Sequence, residues 1–151
     1  MFFDLDAALG ERFQFFGSRL DPNTGDTIYD EPAGDAWVTI RSLTPFYEER
    51  MAKRKKVVEH VLNTKSKAME RLSFYPEQSM DEIKAERDDA WDYAITDFEG
   101  FKDAKTGEVI ECTRENKIKM MKAPIFDRFV ARCLQLLAAS GVKDKEEKIK
   151  N

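Results

Sequence analysis

Hydrophobic and polar positions alternate in short runs within residues 1–43, which predicts a β-rich segment. The runs cover 13–16, 27–29 and 36–41, and they are rich in aromatic and β-branched residues. In the last run, successive side chains face opposite sides of the predicted strand. Residues 21–26 separate the first two runs, and their Pro, Asn and Gly predict a tight turn.

Residues 44–72 instead show the spacing of an amphipathic helix. Thr44 is placed to cap this helix, and Pro45 to occupy its first position. The helix is predicted to run to about residue 62, or to 72 across a weak point at Asn63, and to end before Pro76. Its apolar stripe has mostly three-, four- and seven-residue gaps. The members of the stripe are Tyr47, Met51, Val58, Val61, Leu62, Met69 and Leu72.

Capping and turn residues predict two more helices and a hairpin in the second half. Ser79 and Glu82 form a capping box at the start of one helix. Thr113 is placed to cap another, shorter helix. Between them, Gly107 marks the turn of a β-hairpin that is predicted within residues 98–112.

The last helix is predicted to begin near Pro124 and to stop at Ser140-Gly141. The sequence therefore predicts an α+β fold that is mainly helical, with about four helices. Residues 1–141 are expected to form one domain, β-rich to residue 43 and mainly helical from 44, and residues 142–151 a flexible charged tail. The predicted core residues are Trp91, Phe98, Phe129 and Leu134.

Composition argues against several classes of protein. The chain has 151 residues, of which 36% are charged, and a net charge of −4. No apolar run approaches the ~20 residues of a membrane helix, and the acidic start is unlike a signal peptide. His60 is the only histidine, and Cys112 and Cys133 are the only cysteines. Two isolated thiols fit a reducing cytoplasm, so we expect a cytoplasmic protein without membrane partners.

Charge is distributed in blocks of alternating sign. The net charge is −6 in residues 1–40, +5 in 41–72, −8 in 73–113 and +5 in 114–151. Such blocks can attract one another within one fold or between copies of the chain. Separate solvated faces are the favoured explanation, because exposed ion pairs contribute only ~0–1 kcal/mol each.

Two acidic segments have the form of metal-binding motifs. Asp88, Asp89 and Asp92 follow a D-D-x-x-D pattern, which on a helix could hold Mg²⁺ for a small metal-dependent enzyme. A solvated acidic face is the favoured interpretation. Residues 97–108 have the length of an EF-hand loop, but Lys102 occupies the position that needs glycine. A hairpin is favoured there, and no metal or other cofactor is predicted.

The remaining candidate sites have simpler explanations. Four consecutive cations at 53–56 offer a nucleic-acid patch on the predicted helix, but no basic groove with aromatic residues accompanies them. Cys112 lies near a helix N-terminus, where the dipole lowers a thiol pKa, yet a structural role is favoured. Cys133 is predicted in the core and His60 on a helix surface. No catalytic residue is predicted, and the chain is not expected to be an enzyme.

An ordered set of residues lies between positions 91 and 139. It joins a tryptophan, a hairpin with glycine, a capping Thr-x-Glu-Asn and a final helix beyond a proline. Its members are Trp91, Ile95, Asp97, Phe98, Gly100, Phe101, Asp103, Thr106, Gly107, Val109, Ile110, Cys112, Thr113, Glu115, Asn116, Lys117, Met120, Met121, Pro124 and Phe129. This arrangement resembles phage and prophage tail assembly chaperones of long-tailed phages, and residues 36–44 are compatible with the same group.

The resemblance implies a non-catalytic cytoplasmic protein that binds the tape measure protein and keeps it soluble while the tail tube assembles. It implies the tape measure protein as partner, the tail tube protein as a further candidate, and weak self-association. The expected contact surface is the exposed apolar part of the 45–72 helix and the last helix. Two alternatives stay open: a virion structural protein of the tail or head-completion type, and a nucleic-acid-associated protein that uses residues 53–56.

Overall fold

The computed structural model describes residues 10–150, with side chains through Ser140. Within them the fold is α+β, with seven strands and four helices. The elements are β1 (Glu11–Gln14), β2 (Ser18–Leu20), β3 (Thr27–Tyr29), β4 (Trp37–Ile40), α1 (Thr44–Lys53), β5 (Val57–Leu62), β6 (Met69–Phe74), α2 (Met80–Ala94), β7 (Ile95–Glu99), α3 (Arg114–Met121) and α4 (Pro124–Lys150). The predicted mainly helical fold is therefore wrong, since the strands form three separate sheets.

A three-stranded antiparallel sheet in the order β1-β4-β7 lies at the centre of the fold. The predicted alternation along 36–41 is confirmed, because Val38 and Ile40 are buried while Trp37 and Thr39 are half-buried. The pleat of a strand sends alternate side chains to opposite faces. One face of β4 therefore packs in the core.

Helix α4 covers this sheet and supplies much of the core. Its buried residues recur at helical spacing, so that one face of the helix packs inward. They are Phe126, Phe129, Val130 and Cys133. The Phe129 ring lies 5.0 Å from that of Phe15 and 4.8 Å from that of Phe16. Of the predicted core, Phe98 and Phe129 are buried, whereas Trp91 and Leu134 are half-buried at its edge.

Strands β2 and β3 form a hairpin around the turn predicted at residues 21–26. The Asp21 backbone N–H donates to the Asp26 carbonyl, and the Gly25 N–H donates back to the Asp21 carbonyl. Gly25 has a φ of +74°, which glycine adopts without a steric penalty. The Arg128 guanidinium donates to the Ser18 hydroxyl at 2.7 Å and so ties this hairpin to α4.

The predicted long helix is interrupted after Lys53, and this is the main error in the predicted fold. Arg54 is extended, with φ −71° and ψ 133°, and residues 57–74 form the β5–β6 hairpin. Val57, Val58 and Val61 favour a strand because branching at Cβ fits the pleated backbone. His60 accordingly lies on an exposed strand, not on a helix surface.

Asn63, the predicted weak point of that helix, organises the turn of the β5–β6 hairpin. Its side-chain oxygen accepts from the Lys65 N–H at 2.9 Å, and its backbone N–H donates to the Ala68 carbonyl. Lys67 adopts a φ of +54°, as one turn residue must if the chain is to reverse direction here. Asparagine prefers such a turn to a helix interior because its short amide bonds the local backbone.

The predicted helix caps at Ser79 and Thr113 are confirmed. Each hydroxyl accepts a hydrogen bond from a backbone N–H three residues later, at 3.2 Å. Thr44 is not a cap, since α1 has Leu43 at that position and no side-chain cap. The backbone of α4 continues past Gly141 to Lys150, so the predicted helix stop is also wrong. The division into a domain ending at 141 and a flexible tail stays a prediction.

The predicted 98–112 hairpin is reduced to a turn closed by one antiparallel bridge between Lys102 and Val109. Phe98 belongs instead to β7, where it pairs with Val38 of the central sheet. The Gly107 N–H donates to the Asp103 carbonyl at 2.8 Å. The turn at Gly107 therefore forms as predicted. The strand before it, β7, pairs with β4 and not with residues after the turn.

Candidate functional site

Two of the three aspartates in the D-D-x-x-D motif on α2 form ion pairs with cations from two other helices, whereas a buried carboxylate oxygen of Asp88 has no hydrogen-bond partner in the described part of the chain. Asp89 accepts from Arg50 of α1 at 2.7 Å and from Arg114 of α3 at 2.6 Å. Asp92 accepts from Arg114 at 3.3 Å and from Lys117 at 3.1 Å. These bonds fasten α2 to its neighbours, so the favoured solvated face is in fact an inter-helix network.

The network acts on the acidity of Asp89. Hydrogen bonds from Arg114 and then Arg50 hold the pKa of the Asp89 carboxyl below its ordinary value. Two carboxylates occupied by guanidinium and ammonium groups are poorly placed to bind Mg²⁺. Among the described residues, no group of three or more His, Cys, Asp or Glu is arranged to hold a metal ion.

The other candidate sites from the sequence are dispersed. Asp97 and Glu99 lie on β7, and Glu99 pairs with Arg12 across the sheet. Asp103 uses its carboxylate to accept from the Lys105 and Thr106 backbone N–H groups. The 97–108 segment therefore has no loop that wraps an ion.

The thiols are placed for packing. Cys133 is fully buried in the core, as predicted, and burial raises its pKa to about 12. Cys112 is half-buried in the loop before α3, and burial raises its pKa as well. Desolvation at Cys112 outweighs the lowering effects of the Lys117 charge and of the hydrogen bond with the Phe98 backbone. Neither thiol has the environment of a nucleophile.

Residues 53–56 do not form a continuous helical patch. Lys53 ends α1 and pairs with Glu49 at 2.7 Å, whereas the other three lie in the link to β5. The Arg54 guanidinium and the Lys56 ammonium both lie over the Tyr75 ring, at 5.6 and 5.5 Å from its centroid. These cations therefore surround the base of the β5–β6 hairpin.

Apolar residues line a groove between α1, α2 and α4, and several of them remain partly open to solvent. It has two adjoining cavities of about 430 and 500 Å³, which share Leu43, Tyr47 and Leu134. Helical spacing explains the lining of each wall, since residues four apart lie on one face. From α1 come Tyr47 and Met51; from α2, Ile83, Ala90 and Trp91; from α4, Val130, Ala131, Leu134 and Ala138.

The most exposed apolar residues of the groove are Tyr47, Met51 and Ile83, each 46–47% exposed. Charged residues of both signs line the same cavities, among them Glu48 and Arg87. An apolar lining with charged residues at intervals suits an amphipathic helix, whose own polar side would face water. The groove thus includes Met51 and Leu134 from the expected contact surface, and its third wall, α2, was not predicted.

A second exposed apolar surface is the β5–β6 hairpin, whose strand residues are all exposed. Several residues of the expected 45–72 contact surface lie here and not beside α4. They are Val58, Val61, Leu62, Met69 and Leu72.

No family model, curated protein or solved structure matches this chain. Among the described residues, no helix is both long enough and apolar enough to cross a membrane.

Proposed function

We propose that this chain is a non-catalytic tail assembly chaperone, which acts in the cytoplasm and keeps a tape measure protein soluble. The groove between α1, α2 and α4 is the observation that carries the proposal. It would hold an amphipathic helical segment of the client, with the client's apolar face against Leu43, Tyr47 and Leu134. The resemblance of residues 91–139 to such chaperones supplies the identity of the client.

The chemistry of the groove supports a client of variable sequence. Met51 and Tyr47 lie on its open side, and an unbranched thioether adapts to differently shaped partners. Desolvation of apolar surface contributes about 25 cal/mol per Å², without a requirement for a particular residue. Binding is therefore expected to be mainly apolar and to weaken only modestly with salt.

Co-expression with a tape measure protein from the same genome tests the proposal. The client should stay soluble and co-purify with the wild type. The double variant Met51→Glu, Ile83→Glu places two carboxylates in the groove and should lose both effects. Val109→Glu is the matched control, because Val109 is 66% exposed and lies outside the groove.

Four outcomes would contradict the proposal. The client could be equally soluble without this chain, or the groove variant could retain it as well as the wild type does. Recovery of the chain in finished particles would favour the virion structural alternative. Salt-dependent retention on DNA without client binding would favour the nucleic-acid alternative.

A further inference from the structure

The β5–β6 hairpin and its base form a strongly basic segment. Residues 53–75 carry seven cations and two carboxylates, a net charge of +5. The cations lie at the base, at the turn and on one strand. They are Lys53, Arg54, Lys55, Lys56, Lys65, Lys67 and Arg71.

The same hairpin exposes apolar side chains on both faces. The register places Val57, Val61, Leu72 and Phe74 on one face, and Val58, Leu62 and Met69 on the other. A two-stranded hairpin without a covered face is only marginally stable in water. Many large apolar side chains exposed on one small element are typical of an interaction surface.

A surface of complementary chemistry surrounds the β2–β3 hairpin. Residues 18–36 carry five carboxylates and one cation, Arg19, a net charge of −4. The carboxylates are Asp21, Asp26, Asp30, Glu31 and Asp35. Exposed apolar residues accompany them, namely Leu20, Ile28 and Tyr29. Within the described part of the chain, no ion pair joins this surface to the basic hairpin.

We propose that the basic β5–β6 hairpin of one copy of this chain docks on the acidic β2–β3 surface of a second copy. The opposite charges steer the two surfaces together, and the exposed apolar residues of each are then desolvated. A polyanion such as DNA is the less suitable occupant, because seven of the twelve strand positions are apolar. This inference does not rest on the proposed function, since the groove takes no part in it.

The proposed contact joins two different surfaces and is therefore head-to-tail. Each copy would keep one free hairpin and one free acidic surface, so further copies add to form a ring or an open chain. Exposed ion pairs are individually weak and are screened by salt. The association should accordingly depend on both protein concentration and ionic strength.

Reciprocal charge reversal tests the contact. One variant combines Lys55→Glu, Lys65→Glu and Arg71→Glu in the hairpin. The other combines Asp26→Lys, Glu31→Lys and Asp35→Lys in the acidic surface. A matched control reverses three exposed cations elsewhere, with Lys102→Glu, Lys105→Glu and Lys122→Glu. Circular dichroism checks that all four proteins fold, and sedimentation velocity gives their mass.

The wild type and the control should exceed the monomer mass of 17.5 kDa at low salt and approach it at 1 M salt. Each reversed variant alone should remain a monomer, with self-association weakened about tenfold or more, equivalent to about 1.4 kcal/mol. Their equimolar mixture should associate again, because each then meets a surface of opposite charge. The control has the same net charge as the hairpin variant, and its association therefore separates a specific contact from a change in net charge.

A wild type that stays monomeric at all concentrations overturns the inference, as does a mixture of folded variants that fails to associate. Unchanged association of the hairpin variant would place the contact elsewhere. If the hairpin variant lost duplex DNA binding but kept its self-association, the hairpin would be assigned to nucleic acid. Loss of self-association with intact client binding would leave the proposed function standing.

Discussion

The Lys117 ammonium lies 3.1 Å from the Asp92 carboxylate and 3.2 Å from the Asp92 carbonyl oxygen. The Lys117 side chain is only 10% exposed, so its charge depends on these oxygens for solvation. The acidic motif taken alone predicts that Asp88→Asn together with Asp92→Asn leaves folding nearly unchanged. The pairing with Lys117 reverses that expectation.

Asp92→Asn should lower the free energy of unfolding by about 1–3 kcal/mol, because it leaves a nearly buried cation without a counter-charge. The loss is smaller than for a fully buried pair, since Asp92 is 35% exposed and its carbonyl still accepts. Lys117→Met in the same chain should recover part of the loss. Urea denaturation measures both, and an equal loss in the single and double variants would contradict the role of the buried charge.

Acid should weaken the α1–α2–α3 network through Asp89. Its pKa is held below the ordinary value in the folded state, chiefly by the hydrogen bond from Arg114. The ionised group therefore contributes stability above about pH 4, and this contribution is lost as pH falls through the folded-state pKa. Asp89→Asn should make the melting temperature less sensitive to acid, while Asp97→Asn on β7 should not. If the melting temperatures of Asp89→Asn and the wild type fell in parallel as pH is lowered, ionised Asp89 would not contribute to stability.

Gly100 is required by the backbone at the end of β7. Its φ is +84°, and a Cβ atom there would lie 2.3 Å from the Asp35 carbonyl oxygen. Gly100→Ala should therefore destabilise the fold by more than the ~1–2 kcal/mol of left-handed strain alone. Gly107 has a similar φ of +70° but open space around it. The variant Gly107→Ala therefore measures the cost of the left-handed backbone alone. In thermal unfolding, the melting temperature of Gly100→Ala should be lower than that of Gly107→Ala.

Phe129 is the central residue of the core, fully buried between α4 and the aromatic residues near β1. Phe129→Ala should cost about 3–5 kcal/mol, because it removes buried apolar surface and leaves a cavity. Chemical denaturation measures the loss. A loss below about 1 kcal/mol would mean that the site collapses around the smaller residue.

Local signals predicted the strands near 27–29 and 36–41 and the caps at Ser79 and Thr113, since each depends on neighbouring residues alone. The β5–β6 hairpin was not predicted because apolar residues occupy both of its faces. Period-two alternation disappears in such a strand, and the gaps between Val58, Val61 and Leu62 imitate a helix.

The groove was predicted only in part for a different reason. Tyr47, Ile83 and Leu134 each belong to an apolar stripe that the sequence shows, but the stripes lie far apart along the chain. Their convergence depends on how three helices pack, which no local pattern encodes. The ion pairs of Asp89 and Asp92 were missed likewise, because Arg50 and Arg114 are distant in sequence.

Trp91 offers a direct optical measurement of the proposed client groove. It is half-buried in the groove wall, with the Arg87 guanidinium 4.8 Å above its ring. The second tryptophan, Trp37, lies on the central sheet beneath Arg12. In a Trp37→Phe variant, emission therefore reports on the groove alone.

Binding of an amphipathic helical peptide from a tape measure protein should shift Trp91 emission to shorter wavelength, because the bound helix removes water from the indole. The shift should saturate with peptide and persist at 1 M salt, where the Debye length is about 3 Å and charge steering is screened. Adding Met51→Glu and Ile83→Glu should abolish it, while Val109→Glu should not. If calorimetry detects peptide binding without any change at Trp91, the client binds elsewhere, and the groove is not the site.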